Sequence, residues 1–106
     1  MKIYISGAIT GTTDYMERFA KEEKELTERG YSVVNPAKVN SMLPADTTTY
    51  EDYMIMSFAM LSTCESIYML NGWEKSKGAN MEREKAIENG IKIIYQGGES
   101  NGIDNQ

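Results

Sequence analysis

The 106-residue chain contains no histidine and a single cysteine, Cys64. These two scarcities exclude Ser-His-Asp and Cys-His nucleophile systems, a histidine general base, and zinc centres built on Cys and His. Any catalysis must rest on Asp, Glu, Lys, Tyr, Ser or backbone groups, and neither a metal nor a cofactor is expected. With no second cysteine to pair with, Cys64 is expected to be a buried, inert thiol in a reduced, intracellular protein. Long apolar runs are missing too. No segment approaches the ~18 apolar residues of a membrane span, and the opening Met-Lys-Ile-Tyr-Ile-Ser-Gly has no apolar signal region. The expectation is a cytoplasmic chain with no membrane partner. Basic residues are outnumbered 11 to 16, for a net charge of -5. That balance opposes an extended phosphate-backbone footprint and argues against a nucleic-acid polymer as partner, while leaving a single nucleotide open.

What is present is globular. Hydrophobic residues make up 41% and charged residues 25%, which excludes both disorder and a fibrous repeat. The length fits one domain, read here as residues 1–95 with a flexible tail over 96–106. Lys2 to Ser6, Tyr31 to Val34, Ser66 to Leu70 and Ile91 to Tyr95 read as short strands. Between them the spacing predicts helices over Asp14 to Arg29, about Tyr50 to Thr63, and about Gly78 to Asn89. Asp14 with Glu17 gives a capping-box-like start to the first, Thr49 a cap for the second, and Gly30 and Gly90 supply stops. The inward stripe of the second helix is read as Met54, Phe58 and Leu61, with its methionines as core filler. Ala37 to Thr49 lacks periodicity and reads as a polar loop. Alternating strands and helices predict an α/β fold: a three-layer, flavodoxin/Rossmann-like parallel sheet of about four to five strands with helices on both faces. Ligands in such sheets sit beyond the carboxyl ends of the strands, where the strand order reverses.

Two loops reach that edge. Gly7-Ala8-Ile9-Thr10-Gly11-Thr12 joins a strand to a helix, and its glycines allow backbone N–H groups to approach an anion. It lacks the lysine of a P-loop and the three-glycine spacing of a dinucleotide fingerprint, so it reads either as a cradle or as a tight turn. The second loop enters a helix through Ser76-Lys77-Gly78-Ala79-Asn80-Met81-Glu82. At about 100° per residue Ala79, Glu82, Arg83 and Ala86 share one face. Glu82 therefore stands on the inward stripe near a helix N-terminus, where the helix dipole favours the ionised form that a carboxylate nucleophile needs. The alternative is a structural ion pair, with Arg83 or a neighbouring cation. Ser76 is either a plain N-cap or a phosphate ligand. Glu65, just before the third strand, is a second carboxylate that shares the crevice only if the helix end turns inward. Trp73 either stacks on a base or roofs the core edge.

The opening Tyr4-Ile5-Ser6-Gly7-Ala8-Ile9-Thr10-Gly11, and Gly72-Trp73 followed by Ser76, Gly78, Ala79, Glu82 and Ala86, resemble the nucleoside 2-deoxyribosyltransferase-like superfamily, in its small phage and bacterial branch. The resemblance implies a flavodoxin-like sheet, assembly as a homodimer or higher homo-oligomer, and Glu82 as the nucleophile that attacks the anomeric carbon of a nucleoside or nucleotide. Ser76 stands where the transferases carry Asp, and Ser76 with Gly78 is more similar to the nucleotide N-glycoside hydrolases, whose serine and loop bind a 5'-phosphate. Glu65 replaces the family's usual Asp.

The expected function is hydrolysis of the N-glycosidic bond of a nucleoside 5'-monophosphate through a covalent glycosyl-glutamate intermediate. Glu82 and Glu65 are the expected catalytic pair, and Gly7, Ile9, Gly11, Ser76, Gly78 and Trp73 the substrate and phosphate cradle. Loop 37–49 is expected to act as a lid. The alternatives are nucleoside 2-deoxyribosyl transfer and a non-catalytic nucleotide-binding or sensing module.

Overall fold

A computed structural model describes residues 1–97. The elements follow in the order β1 (Lys2–Ser6), α1 (Tyr15–Glu28), β2 (Ser32–Val34), α2 (Pro36–Asn40), α3 (Tyr50–Leu61), β3 (Ser66–Met69), α4 (Lys77–Glu88) and β4 (Lys92–Tyr95). The four strands form one sheet in the order β2-β1-β3-β4. Every pairing is parallel. The strand order reverses between β1 and β3, since the chain first steps from β1 outward to β2 and then crosses back.

Strand alternation sorts the core into two layers. Ile3 and Ile5 of β1, with Tyr68 and Leu70, pack against Phe19 and Leu26 of α1 on one face. Tyr4, Ile67 and Met69 pack against Leu61, Ala79 and Ala86 of α3 and α4 on the other. Both β1 and β3 are covered on both sides, which is why they read as near-continuous apolar runs rather than alternating ones.

Local chemistry sets most boundaries. Thr49 caps α3 by accepting from the Asp52 N–H, and the Asp52 carboxylate accepts in return from the Thr49 N–H, each at 3.0 Å. Gly30 and Gly90 take left-handed φ of 96° and 70° just after α1 and α4, a conformation that costs a residue with a Cβ about 1 kcal/mol or more. The box expected at Asp14 does not form: Asp14 makes no side-chain cap bond. Its carboxylate instead accepts from Arg18 Nε at 3.0 Å, one turn on.

The polar loop expected over 37–49 begins as a helix. Asn35 accepts from the N–H groups of Ala37 and Lys38, and Pro36 at the first helical position is pre-set for the turn. Five residues are too few for a periodic signal. A 3-10 turn over Trp73–Lys75 likewise interrupts the second loop. On α3 the buried stripe is Met54, Ser57 and Leu61, with Phe58 only partly covered. Met54 fills the core as expected, whereas Met56 faces outward. Cys64 is buried and unpaired. Burial pushes its thiol above the ordinary cysteine value, with a smaller opposing effect from the Thr63 hydroxyl. Among the described residues no helix is long and apolar enough to cross a membrane. Of the tail expected over 96–106, Gln96 is held, its N–H donating to the Met69 carbonyl at 2.9 Å. Residues 98–106 lie outside the described residues.

Candidate active site

A cavity of about 480 Å³ opens at the carboxyl ends of β1 and β2, bounded by the N-terminal turns of α1, α3 and α4 and by α2. That volume is in the range of small-molecule sites. Gly7 forms part of its floor where the chain leaves β1. A Cβ there would lie 2.9 Å from Leu70 Cδ1 and 3.0 Å from Leu70 Cβ, so a side chain would require Leu70 or the backbone to shift.

Glu82 lies on the cavity wall and is only 7% exposed. It occupies the buried stripe of α4 with Ala79 and Ala86, as the helical spacing predicts. Its carboxylate is held by hydroxyls from β1: Tyr4 Oη–H donates to Oε2 at 2.9 Å and Ser6 Oγ–H to Oε1 at 2.5 Å. Both come from the face of β1 that α4 covers. Arg83 is not its partner, since Arg83 donates to the Tyr95 hydroxyl at 3.0 Å.

The electrostatics differ from the expectation built on the helix dipole. Burial pushes the Glu82 carboxyl above the ordinary glutamate range, and the hydroxyls of Ser6, Tyr4 and Ser57 offset only part of that rise. Desolvation outweighs the neutral donors, and among the described residues no ion pair includes Glu82. The Tyr4 phenol is pushed well above its usual value, first by burial and then by the Glu82 charge. It therefore remains a proton donor to the carboxylate across the whole neutral range. The arrangement is a desolvated carboxylate, pre-oriented by hydroxyls and facing a cavity, which suits attack on an electrophilic carbon.

The structure brings Gly7, Ile9, Ser76, Gly78 and Glu82 to this one cavity. Ser76 caps α4, its Oγ accepting from the Ala79 N–H at 3.1 Å, which leaves its own hydroxyl proton available. A Cβ on Gly78 would come within 3.4 Å of the Tyr50 hydroxyl and 3.5 Å of Met54 Sδ. The Lys77 ammonium sits 5.6 Å from the Tyr50 ring, at the same helix start.

Three expected residues stand elsewhere. Gly11 is outside the cavity lining and takes φ of 83° with open space around it, the mark of a tight turn. Trp73 packs against the Tyr95 ring at 6.0 Å and lies under the Arg83 guanidinium at 5.1 Å. It roofs the core edge. Glu65 precedes β3, and in a parallel sheet that is the amino edge, opposite the cavity. Its carboxylate accepts from the Lys2 N–H at 2.9 Å. The helix end does not turn inward, and Glu65 and Glu82 are not brought together.

Tyr4 and Ser6 enter the sequence reading only within the resemblance, with no site role, and Ser57 does not enter it. Alternation along β1 puts Tyr4 and Ser6 on one face, but only the topology says which helix covers that face. Asn40, at the end of α2, was also missed, within a segment read as loop.

A solved structure of a 2-deoxyribosyltransferase from the psychrotolerant bacterium Bacillus psychrosaccharolyticus superposes with a TM-score of 0.71, covering 90% of this chain and 71% of that one at 14% identity. At that identity the likeness shows the fold, and the chain has a nucleoside 2-deoxyribosyltransferase-like fold. No curated protein matches the chain. One family model matches residues 1–95, and the chain belongs to that family, described as Domain of unknown function (DUF4406).

Proposed function

We propose that this protein cleaves the N-glycosidic bond of a nucleoside 5'-monophosphate, with Glu82 as nucleophile. One observation carries the reading: a buried glutamate, held by two hydroxyls, on the wall of a nucleotide-sized cavity. Glu82 Oε attacks the anomeric carbon, the bond to the base breaks, and its electron pair leaves with the base nitrogen, which takes a proton from solvent. Water then attacks the glycosyl ester. Its hydroxyl goes to the sugar and its proton to the medium, and Glu82 is regenerated. The net reaction consumes one water and releases free base and sugar phosphate.

Spacing along α4 supports the phosphate assignment. Gly78 and Glu82 are four residues apart, about 6 Å along a helix axis, which is the order of the span from an anomeric carbon to a 5'-phosphate. The free N–H groups at the start of α4, the Ser76 hydroxyl and the Lys77 ammonium would hold the phosphate while Glu82 faces the sugar. Leu43 and Ala45 in the segment after α2 line the cavity, and closure of that segment over the ligand would exclude bulk water.

A non-catalytic nucleotide-binding reading is favoured by one fact: Glu82 is the one carboxylate among the described cavity-lining residues, so no second acid assists the leaving base. Free-base release, followed by chromatography over ribo- and deoxyribonucleosides and their 5'-monophosphates, tests both. Release from a monophosphate by the wild type and not by Glu82→Gln is the expected result. Release only when an acceptor base is added would mean transfer, and binding without release would mean a sensing module.

A further inference from the structure

We propose that Asn40 reads the base: its amide pairs with a heterocyclic edge that presents an N–H donor beside an acceptor. This rests on the nucleotide reading above and adds to it the group that recognises the base.

Asn40 Oδ1 is the one buried side-chain polar atom without a hydrogen-bond partner among the described residues. An unsatisfied buried acceptor costs about 1–3 kcal/mol, so folded proteins rarely keep one without a use for it. Asn40 is also a cavity-lining residue. A half-turn about its terminal torsion exchanges the amide oxygen and nitrogen.

The mount is rigid. Asn40 ends α2, whose first turn is fixed by the Asn35 cap, with Asn35 Oδ1 accepting from Ala37 at 3.0 Å and Lys38 at 3.3 Å. The carbonyl of Asn40 is itself occupied, accepting from the Leu43 N–H at 3.1 Å. A residue on a braced element can act as a selector because its position survives ligand exchange.

The surroundings suit a flat heterocycle. Tyr15 of α1 and Tyr53 of α3, both partly exposed, share the lining with Asn40, and aromatic faces stack on bases. α2 belongs to the α1 layer, through Ala37. Glu82 stands among the residues of the α4 layer. A ligand with its sugar against Glu82 would extend its base toward the opposite wall, where the amide is. An amide carries a donor and an acceptor side by side, and it matches edges built in the same way on purines and pyrimidines alike. It does not match a bare sugar phosphate.

The test uses the full chain carrying Glu82→Gln, so that bound nucleotide is not consumed. Nucleoside 5'-monophosphates of the four common bases and ribose 5-phosphate are titrated calorimetrically, with and without Asn40→Leu or Asn40→Asp. The expected result is that Asn40→Leu weakens the preferred nucleotide about tenfold or more, leaves ribose 5-phosphate unchanged, and does not lower the melting temperature of the ligand-free protein. Asn40→Asp keeps an acceptor and loses the donor, so it should change which base is preferred. Equal nucleotide affinity in all three proteins overturns the role of Asn40 alone. Equal weakening of ribose 5-phosphate, or a ligand-free melting temperature several degrees lower in both variants, also overturns it, since Asn40 would then be structural. If the parent binds no nucleotide at all, the nucleotide reading falls and this proposal with it.

Discussion

Among the described residues each face of the sheet buries one glutamate, and the two differ in their surroundings. On the α4 face Glu82 is 7% exposed, takes hydroxyl donors from β1, and faces the large cavity. On the α1 face Glu22 is 6% exposed and accepts from the Tyr68 hydroxyl at 3.4 Å and from Gln96 Nε2 at 3.0 Å. Gln96 Oε1 in turn accepts from the Asn71 N–H at 2.7 Å. Glu22 thereby joins α1, the end of β3 and the residue after β4 in one network, with Arg18 and Lys21 beside it in a smaller cleft. Its tyrosine is pushed up to about 12, first by burial and then by the Glu22 charge. Both sites are a buried tyrosine and carboxylate. What separates them is the remaining partner: an amide that ties Glu22 to the chain, against open space before Glu82. A carboxylate whose partners tie separate segments together is a staple, whereas a desolvated one that borders a large cavity is held ready for a reaction partner.

Removing charge at the two positions should separate these roles. Glu82→Gln is expected to lower base release on the order of 10³-fold or more. The same change should raise the melting temperature at neutral pH, because burial holds the folded-state pKa of Glu82 above its unfolded value of ~4.3. The folded protein binds that proton more tightly, so the associated stability is complete below the unfolded pKa and is lost as pH rises through the raised folded one. The gap in melting temperature between variant and wild type should therefore open with rising pH across that window. A gap that is flat with pH, or that closes, would contradict the assignment.

Tyr4→Phe comes next. It removes one donor from the ionised carboxylate, a bond worth roughly 10- to 100-fold in rate. It should also move the acid limb of the pH-rate profile upward, since that hydroxyl lowers the Glu82 pKa. A rate loss with an unmoved acid limb would assign Tyr4 to packing only. On the other face, Glu22→Gln turns an acceptor pair into one acceptor and one donor that meets the Gln96 amide. Urea unfolding should show a loss of about 1–3 kcal/mol, with base release unchanged. If base release fell instead, the staple would be coupled to the reaction. The smallest effect is expected from Glu65→Gln, which should leave base release unaltered, because Glu65 bonds the Lys2 N–H at the far edge of the sheet. Loss of base release there would mean that the edge of the sheet takes part.

Much of this molecule is legible in short stretches of sequence. The four strands, three long helices and the Thr49 cap follow from spacing and side-chain chemistry within a few residues, and each was expected within one or two positions. The inward stance of Glu82 follows from the positions of Ala79 and Ala86. α2 escaped because five residues do not make a period, and Glu22 because its charge hides it on a stripe otherwise marked by Phe19 and Leu26.

Helix, strand and turn preferences act between neighbours, so the chain carries them wherever it folds. The charge state of Glu82 is of another kind: Tyr4 lies 78 positions away in sequence, and burial, the largest influence on that carboxyl, exists only once β1, α3 and α4 have closed around it. The separation of Glu65 from Glu82 likewise arises from the sheet being parallel, which sends the residue before β3 to one edge and the start of α4 to the other. Such pairings depend on which distant segments meet, and that is set by the packing of whole layers rather than by any residue and its neighbours.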